Sequence, residues 1–142
     1  MEENQKFCLG LYSGSFDKLT MAGVMLSGAA ADDMDVDIFV FIQGARVFRK
    51  GVPNSREDLG ISEYPENREQ LLKAMKNVGT MEWIEFLEMA KELTNVKVHV
   101  CGLAGKMWGG EEKEDFIDLV DDIVGISQYI TAASEADLNI LL

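Results

Sequence analysis

The chain has 142 residues, 47% of them hydrophobic and 27% charged, an ordinary balance for a water-soluble globular fold of common domain size. Its formal net charge of −12 and sequence pI near 4.4 repel phosphate backbones and anionic headgroups, which argues against nucleic acid and against an anionic membrane surface. Two cysteines make no disulfide framework, Met1–Lys6 lacks the basic start and apolar stretch of a signal peptide, and no apolar run approaches the ~20 residues that span a bilayer. The expectation is one domain over 1–142, in a reducing cytoplasm, with no stable membrane insertion.

Phe7 to Tyr12 reads as a first strand, apolar on both faces. Ser13-Gly14-Ser15-Phe16-Asp17 supplies a turn and the start of a helix, with Ser15 as N-cap and Asp17 in the first turn. From Leu19 to Ala31, the residues Leu19, Ala22, Gly23, Leu26, Ala29 and Ala30 recur at spacings of three and four, a small-residue helix face suited to close packing. Val36 to Ile42 is a second strand without polar alternation, and strands apolar on both faces predict a covered, largely parallel sheet.

Gly44 to Gly51 is compatible with the start of another helix. The stretch from about 50 to 70 holds both prolines, Pro53 and Pro65, among Asn, Ser and Gly, and reads as a long loop or insertion leading into a short helix over Arg68–Met75. Thr80 to Leu93 is predicted as a helix capped by Thr80, with Trp83, Phe86, Leu87, Ala90 and Leu93 as its apolar stripe. A strand over Val96–Cys101 follows, then a glycine-rich segment to Gly110, an acidic amphipathic helix over Glu112–Val120, a helix over Ser127–Ala136 and a strand over Leu138–Leu142. Alternating strands and helices give an α/β sandwich on a mainly parallel sheet of four or five strands.

The two thiols differ in setting. Cys8 sits inside Phe7-Cys8-Leu9-Gly10-Leu11 and reads as core filler, whereas Cys101 stands where Val96-Lys97-Val98-His99-Val100-Cys101 gives way to Gly102-Leu103-Ala104-Gly105-Lys106. Strand ends in α/β folds border the ligand crevice and the next helix's amides, which can stabilise a thiolate, so Cys101 is the candidate catalytic residue. Ser13, Gly14, Asp17, Gly102 and Lys106 are candidates to line the same crevice. His99 shares a strand face with Cys101, but side chains two apart on a strand are separated by roughly 6.5–7 Å, too far for a direct hydrogen bond, and a structural role is favoured.

Other motifs fail on inspection. Asp33-Met34-Asp35-Val36-Asp37 starts like a calcium loop but has Ile38 where glycine is needed and Gly44 where the bidentate glutamate belongs. Gly102-Leu103-Ala104-Gly105-Lys106 lacks the four-residue gap and the Ser/Thr of a phosphate loop, and no G-x-G-x-x-G follows the first strand. With one histidine and two distant cysteines, no metal site and no cofactor are expected.

The order of elements resembles that of the DsrE/DsrF-like family of small sulfur-carrier proteins, closest to its peroxiredoxin-like DsrE branch. The resemblance is carried by Ser13-Gly14-Ser15-Phe16-Asp17 and the helix after it, by Val96–Cys101, by Glu114-Asp115-Phe116-Ile117-Asp118, and by Ala133-Ser134-Glu135-Ala136-Asp137 before the last strand. It implies a three-layer, flavodoxin-like core, homo-oligomers, and a cysteine at the end of that strand acting as acceptor of sulfane sulfur, a position matched here by Cys101 alone. The implied function is a sulfur-relay protein that carries a persulfide between donor and acceptor proteins. The competing reading is a noncatalytic oligomeric ligand-binding or scaffold subunit in which Cys101 is inert. Relatives have a methionine-rich turn after the cysteine where this chain has Gly102-Leu103-Ala104-Gly105-Lys106-Met107-Trp108, and a peroxidase would need a resolving thiol that only Cys8 could supply.

Overall fold

The computed structural model describes residues 3–142. Five parallel strands make one sheet in the order β4-β3-β2-β1-β5: β1 (Lys6–Leu11), β2 (Asp35–Val40), β3 (Val96–Cys101), β4 (Asp122–Val124) and β5 (Leu138–Leu141). The helices are α1 (Phe16–Ala31), α2 (Ile42–Arg46), α3 (Arg68–Val78), α4 (Trp83–Leu93), α5 (Gly102–Met107) and α6 (Ile126–Glu135). They flank the sheet as a three-layer α/β sandwich of the flavodoxin-like kind.

Alternation along the strands explains the layers. Leu9 and Leu11 of β1, Val36, Ile38 and Val40 of β2, and Val96, Val98 and Val100 of β3 are all buried and form the core with Leu19, Ala22 and Leu26 of α1 and Leu87 and Ala90 of α4. The small face of α1 serves this packing: a Cβ on Gly23 would lie 2.6 Å from the Phe86 ring of α4. The opposite sheet face carries Cys8, Asp37, Phe39, His99 and Cys101 and is covered by α6, whose Tyr129 ring meets Phe39 and Phe41 edge-on at 5.2 and 4.9 Å.

Several boundaries differ from those the residue pattern suggests, each for a local reason. The second strand stops at Val40, because Ile42 opens α2, which ends at Arg46 instead of running on toward Gly51. Thr80 does not cap α4, whose N-cap is Glu82; the Thr80 N–H donates instead to Met75 O and, with Gly79 at φ +73°, closes the end of α3. Leu93 lies in the last turn of α4 with 61% of its surface exposed, outside the buried stripe. The glycine-rich stretch after Cys101 forms α5. Over 112–120 there is only a turn of 3-10 helix, Lys113–Asp115, where Asp115 accepts the N–H groups of Glu111 and Glu112 at 3.0 Å. Phe116 is then extended and bridges to Arg49 in antiparallel fashion.

Gly44 is required by close approach. A Cβ there would stand 2.2 Å from the Leu11 carbonyl oxygen, a backbone atom that cannot rotate away, while the Gly44 N–H donates to Tyr12 O and Phe41 O. Gly44→Ala is therefore expected to cost about 1–3 kcal/mol, read as a lower urea midpoint at unchanged slope.

Candidate functional site

Cys101 closes β3 and is at once the N-cap of α5, with φ −64° and ψ 124°. The valine-rich strand ends here as the chain turns into α5, whose close packing depends on Gly105, where a Cβ would lie 2.8 Å from Gly110 O. The N–H groups at a helix start have no intrahelical acceptor, and those of α5 follow Cys101 directly in the chain. Cys101 retains 9% of its surface, beside Val124 in the β3–β4 register. It is not part of a disulfide.

Cys8 contrasts on each count. It lies mid-strand in β1 with 1% of its surface exposed and stands opposite Asp37. Burial first, and then the negative charge of Asp37, push its thiol pKa up to about 11. At neutral pH Cys8 is a thiol, the unreactive form. It is also two strands away from Cys101, roughly 10 Å at ordinary strand spacing, so it is badly placed to resolve an oxidised Cys101.

The residues considered as crevice lining are divided among three places. Ser13 and Gly14, after β1, line a groove of about 420 Å³ with Ser15, Lys18, Gln43 and Arg46. The walls of that groove do not include Cys101. Asp17 borders the neighbouring groove, where its carboxylate accepts the Ser62 N–H at 3.0 Å and the Ser62 hydroxyl. Those bonds outweigh its burial and hold its pKa below the usual carboxylate value. Gly102 and Lys106 stay with Cys101 on α5. A Cβ on Gly102 would make only ordinary contacts, 3.6 Å from Ile123 and from Val124 O, and Lys106 is exposed in the last helical turn. Ser15 occupies the N-cap of α1 as its sequence position suggests, but its hydroxyl pairs with that of Ser13 at 2.8 Å and makes no cap bond.

His99 is more elaborately held than the sequence suggests. Its Nε2 lies 2.7 Å from Asp37 Oδ1 and its Nδ1 2.5 Å from Asp122 Oδ1, and the Phe39 ring lies against it at 4.6 Å. Burial alone would lower its pKa, but the hydrogen bonds and charges of the two aspartates raise it above the ordinary imidazole value. Asp37 and Asp122 are the functional candidates that pattern reading misses; the available signal was an aspartate inside the otherwise apolar run Val36–Phe41. The adjacent Asp121 points the other way, accepting Lys91 Nζ and the Val98 N–H, each at 2.7 Å. Although burial raises its pKa, these bonds lower it overall. Among the described residues no group of three or more His, Cys, Asp or Glu side chains is arranged to hold a metal ion, and no helix is long and apolar enough to cross a membrane.

Comparison with known proteins gives three findings. The model of the DsrE/DsrF-like family matches residues 17–141. The uncharacterized protein YrkE of Bacillus subtilis (strain 168) is 27% identical over 163 aligned positions that cover 99% of each chain. The solved structure of MTH1491, a protein of unknown function from Methanobacterium thermoautotrophicum, superposes with a TM-score of 0.60 over 98% of this chain and 100% of that one. At 13% identity that last likeness concerns the fold alone.

Proposed function

Because the chain belongs to the DsrE/DsrF-like family, we propose that it is a sulfur-relay protein in which Cys101 accepts and donates sulfane sulfur. The observation that carries this reading is the contrast between the two thiols. Cys101 ends a strand at the carboxyl edge of the sheet with a helix opening on it, while Cys8 is sealed in mid-strand and held protonated. Catalytic and carrier groups in parallel α/β sheets gather at that carboxyl edge.

The transfer is thiol–disulfide exchange with sulfur as the cargo. The Cys101 thiolate attacks the outer sulfur of a donor persulfide. A new S–S bond forms, the donor's S–S bond breaks, and the donor leaves as a thiolate. An acceptor thiolate then attacks the outer sulfur on Cys101, which regenerates the Cys101 thiolate and moves the sulfur on. No net oxidant or reductant is consumed. Donor and acceptor proteins are the partners this chemistry needs, a homo-oligomer is the form the family resemblance supports, and a reducing cytoplasm is the compartment that suits a free thiol.

Incubation with a small-molecule persulfide donor followed by intact mass measurement tests this reading. The expected result is an adduct of about 32 Da, one sulfur, that is retained in Cys8→Ser and lost in Cys101→Ser. An adduct that survives in Cys101→Ser overturns the assignment.

The small exposure of Cys101 favours a second reading, an oligomeric ligand-binding or scaffold subunit with an inert thiol. Under that reading, alkylation of native Cys101 at neutral pH is far slower than in the denatured chain and no sulfur is loaded. Under the relay reading, the covered thiol must become reachable without global unfolding.

A further inference from the structure

One imidazole joins three strands on the α6 face of the sheet. His99 of β3 sits between Asp37 of β2 and Asp122 of β4, with both ring nitrogens within 2.7 Å of a carboxylate oxygen. An ionised carboxylate only accepts, so both contacts are hydrogen bonds only when both ring nitrogens carry protons. Loss of one proton turns a nitrogen lone pair toward a carboxylate at the same short distance, and a bond becomes a repulsion. The Phe39 ring at 4.6 Å restricts how far the imidazole can turn away.

The strand with most to lose is β4. It has three residues, pairs only with β3, and lies at the sheet edge. Its Asp122 side chain is 53% exposed, against 43% for Asp37, which stands in a six-residue strand paired on both sides. The hold on the other side of β4, Asp121 to Lys91 and Val98, does not involve the imidazole and stays in place as it titrates. Val124, two residues beyond Asp122, is the strand neighbour of Cys101.

We propose that Asp37, His99 and Asp122 form a proton-dependent clasp that keeps β4 against β3 and so keeps Cys101 covered. His99 is then a positioning residue for the thiol, and the pH at the molecule's surface sets how often that thiol is presented. The clasp stands on its own geometry; only its meaning for sulfur transfer rests on the relay reading of Cys101.

The groups around the ring give the sign. Asp37 from β2 and Asp122 from β4 touch it, and the other titratable groups of this sheet face and its cover are Cys8 from β1, Lys97 and Cys101 from β3, and Tyr129 and Glu135 from α6. Cys8 and Tyr129 are uncharged at neutral pH because both have raised pKa values, Lys97 is exposed, and the carboxylates dominate. With the folded imidazole pKa above the unfolded one, the stabilisation is complete below the ordinary imidazole value. It fades as pH rises through the raised folded value.

The test is amide hydrogen exchange of the full chain, read by mass spectrometry on peptides spanning residues 120–125 and corrected for intrinsic exchange rates. Between about pH 6 and pH 8.5, corrected exchange of β4 in the native protein is expected to rise about tenfold, while β2 peptides stay flat. In His99→Gln, which donates one bond and cannot titrate, the β4 rate is already high and changes less than about twofold over the same range. In Asp122→Asn the imidazole loses a carboxylate and the step moves to lower pH, which keeps the test alive if His99→Gln folds poorly. A flat native profile, a step of equal size in His99→Gln, or no movement in Asp122→Asn overturns the clasp. A β4 step without any sulfur loading on Cys101 leaves the clasp standing and removes the relay reading instead.

Discussion

Replacing Trp83 with alanine is expected to lower the unfolding free energy by about 3–5 kcal/mol. Trp83 opens α4, is 3% exposed, and meets Phe48 edge-on with ring centroids 5.2 Å apart. Its indole N–H donates to the Asn54 carbonyl at 2.7 Å, and Asn54 in turn donates from its side chain to Val47 O. One side chain thus both fills the core under α4 and ties down the irregular segment that precedes α3. Truncation leaves a cavity and orphans a part-buried carbonyl at the same time. Trp83→Phe separates the two terms: the ring volume is largely kept, the donor is lost, and the cost should fall to about 1–2 kcal/mol. Urea unfolding followed by far-UV circular dichroism reads both variants, with Trp108 left as a fluorescence reporter. Equal costs for the two substitutions would show that packing against Phe48 adds nothing.

That anchoring explains why the segment around residues 50–70 is only half legible. Its prolines, glycines and asparagines predict a loop, and the chain is irregular up to the 3-10 turn at Pro65–Asn67, but composition does not reveal what such a chain is fastened to. Arg68 donates to the carbonyls of Glu57 and Leu59, Arg56 to Thr80 O, and the Phe16 N–H of α1 to Gly60 O. These partners are ordinary charged and backbone groups with no local signature.

The strands were legible for the opposite reason. Runs such as Val36 to Phe41 and Val96 to Cys101 are buried on one face entirely and on the other in part, and a covered parallel sheet imposes that pattern residue by residue. The three-residue β4 carries too little pattern to be seen, and α5 is disguised by Gly102 and Gly105, which packing against the sheet tolerates and propensity does not. The acidic stretch over 112–120 has the spacing of an amphipathic helix, yet Asp115 spends its carboxylate on capping a single turn. Within the candidate site, the placement of Cys101 followed from its strand end. The Asp37–His99–Asp122 arrangement did not, because residues 62 and 23 positions apart meet only once strand order and register are known.

Phe116→Ala is the second substitution expected to cost about 3–5 kcal/mol, and it bears on the thiol as well as on stability. Phe116 is 1% exposed and its ring fills the space beneath α5: Cβ atoms placed on Gly110 and Gly105 would lie 2.5 and 3.2 Å from it. Because those two neighbours are glycines, they have no side chains of their own to move into the vacated volume, so the cost belongs toward the upper end of the range. The Arg49 guanidinium lies over the ring at 5.8 Å and donates from Nε to Trp108 O, which fixes the far end of the α5 turn to the same point. Loss of the ring therefore loosens α5 at its base while Cys101 sits at its N-cap. Alkylation of Cys101 under native conditions should quicken more in Phe116→Ala than in Trp83→Ala at matched global stability, adjusted with urea. Exposure through whole-molecule unfolding depends only on the unfolding free energy and would raise both rates alike. A common rate in the two variants would mean that the base of α5 does not govern access to Cys101.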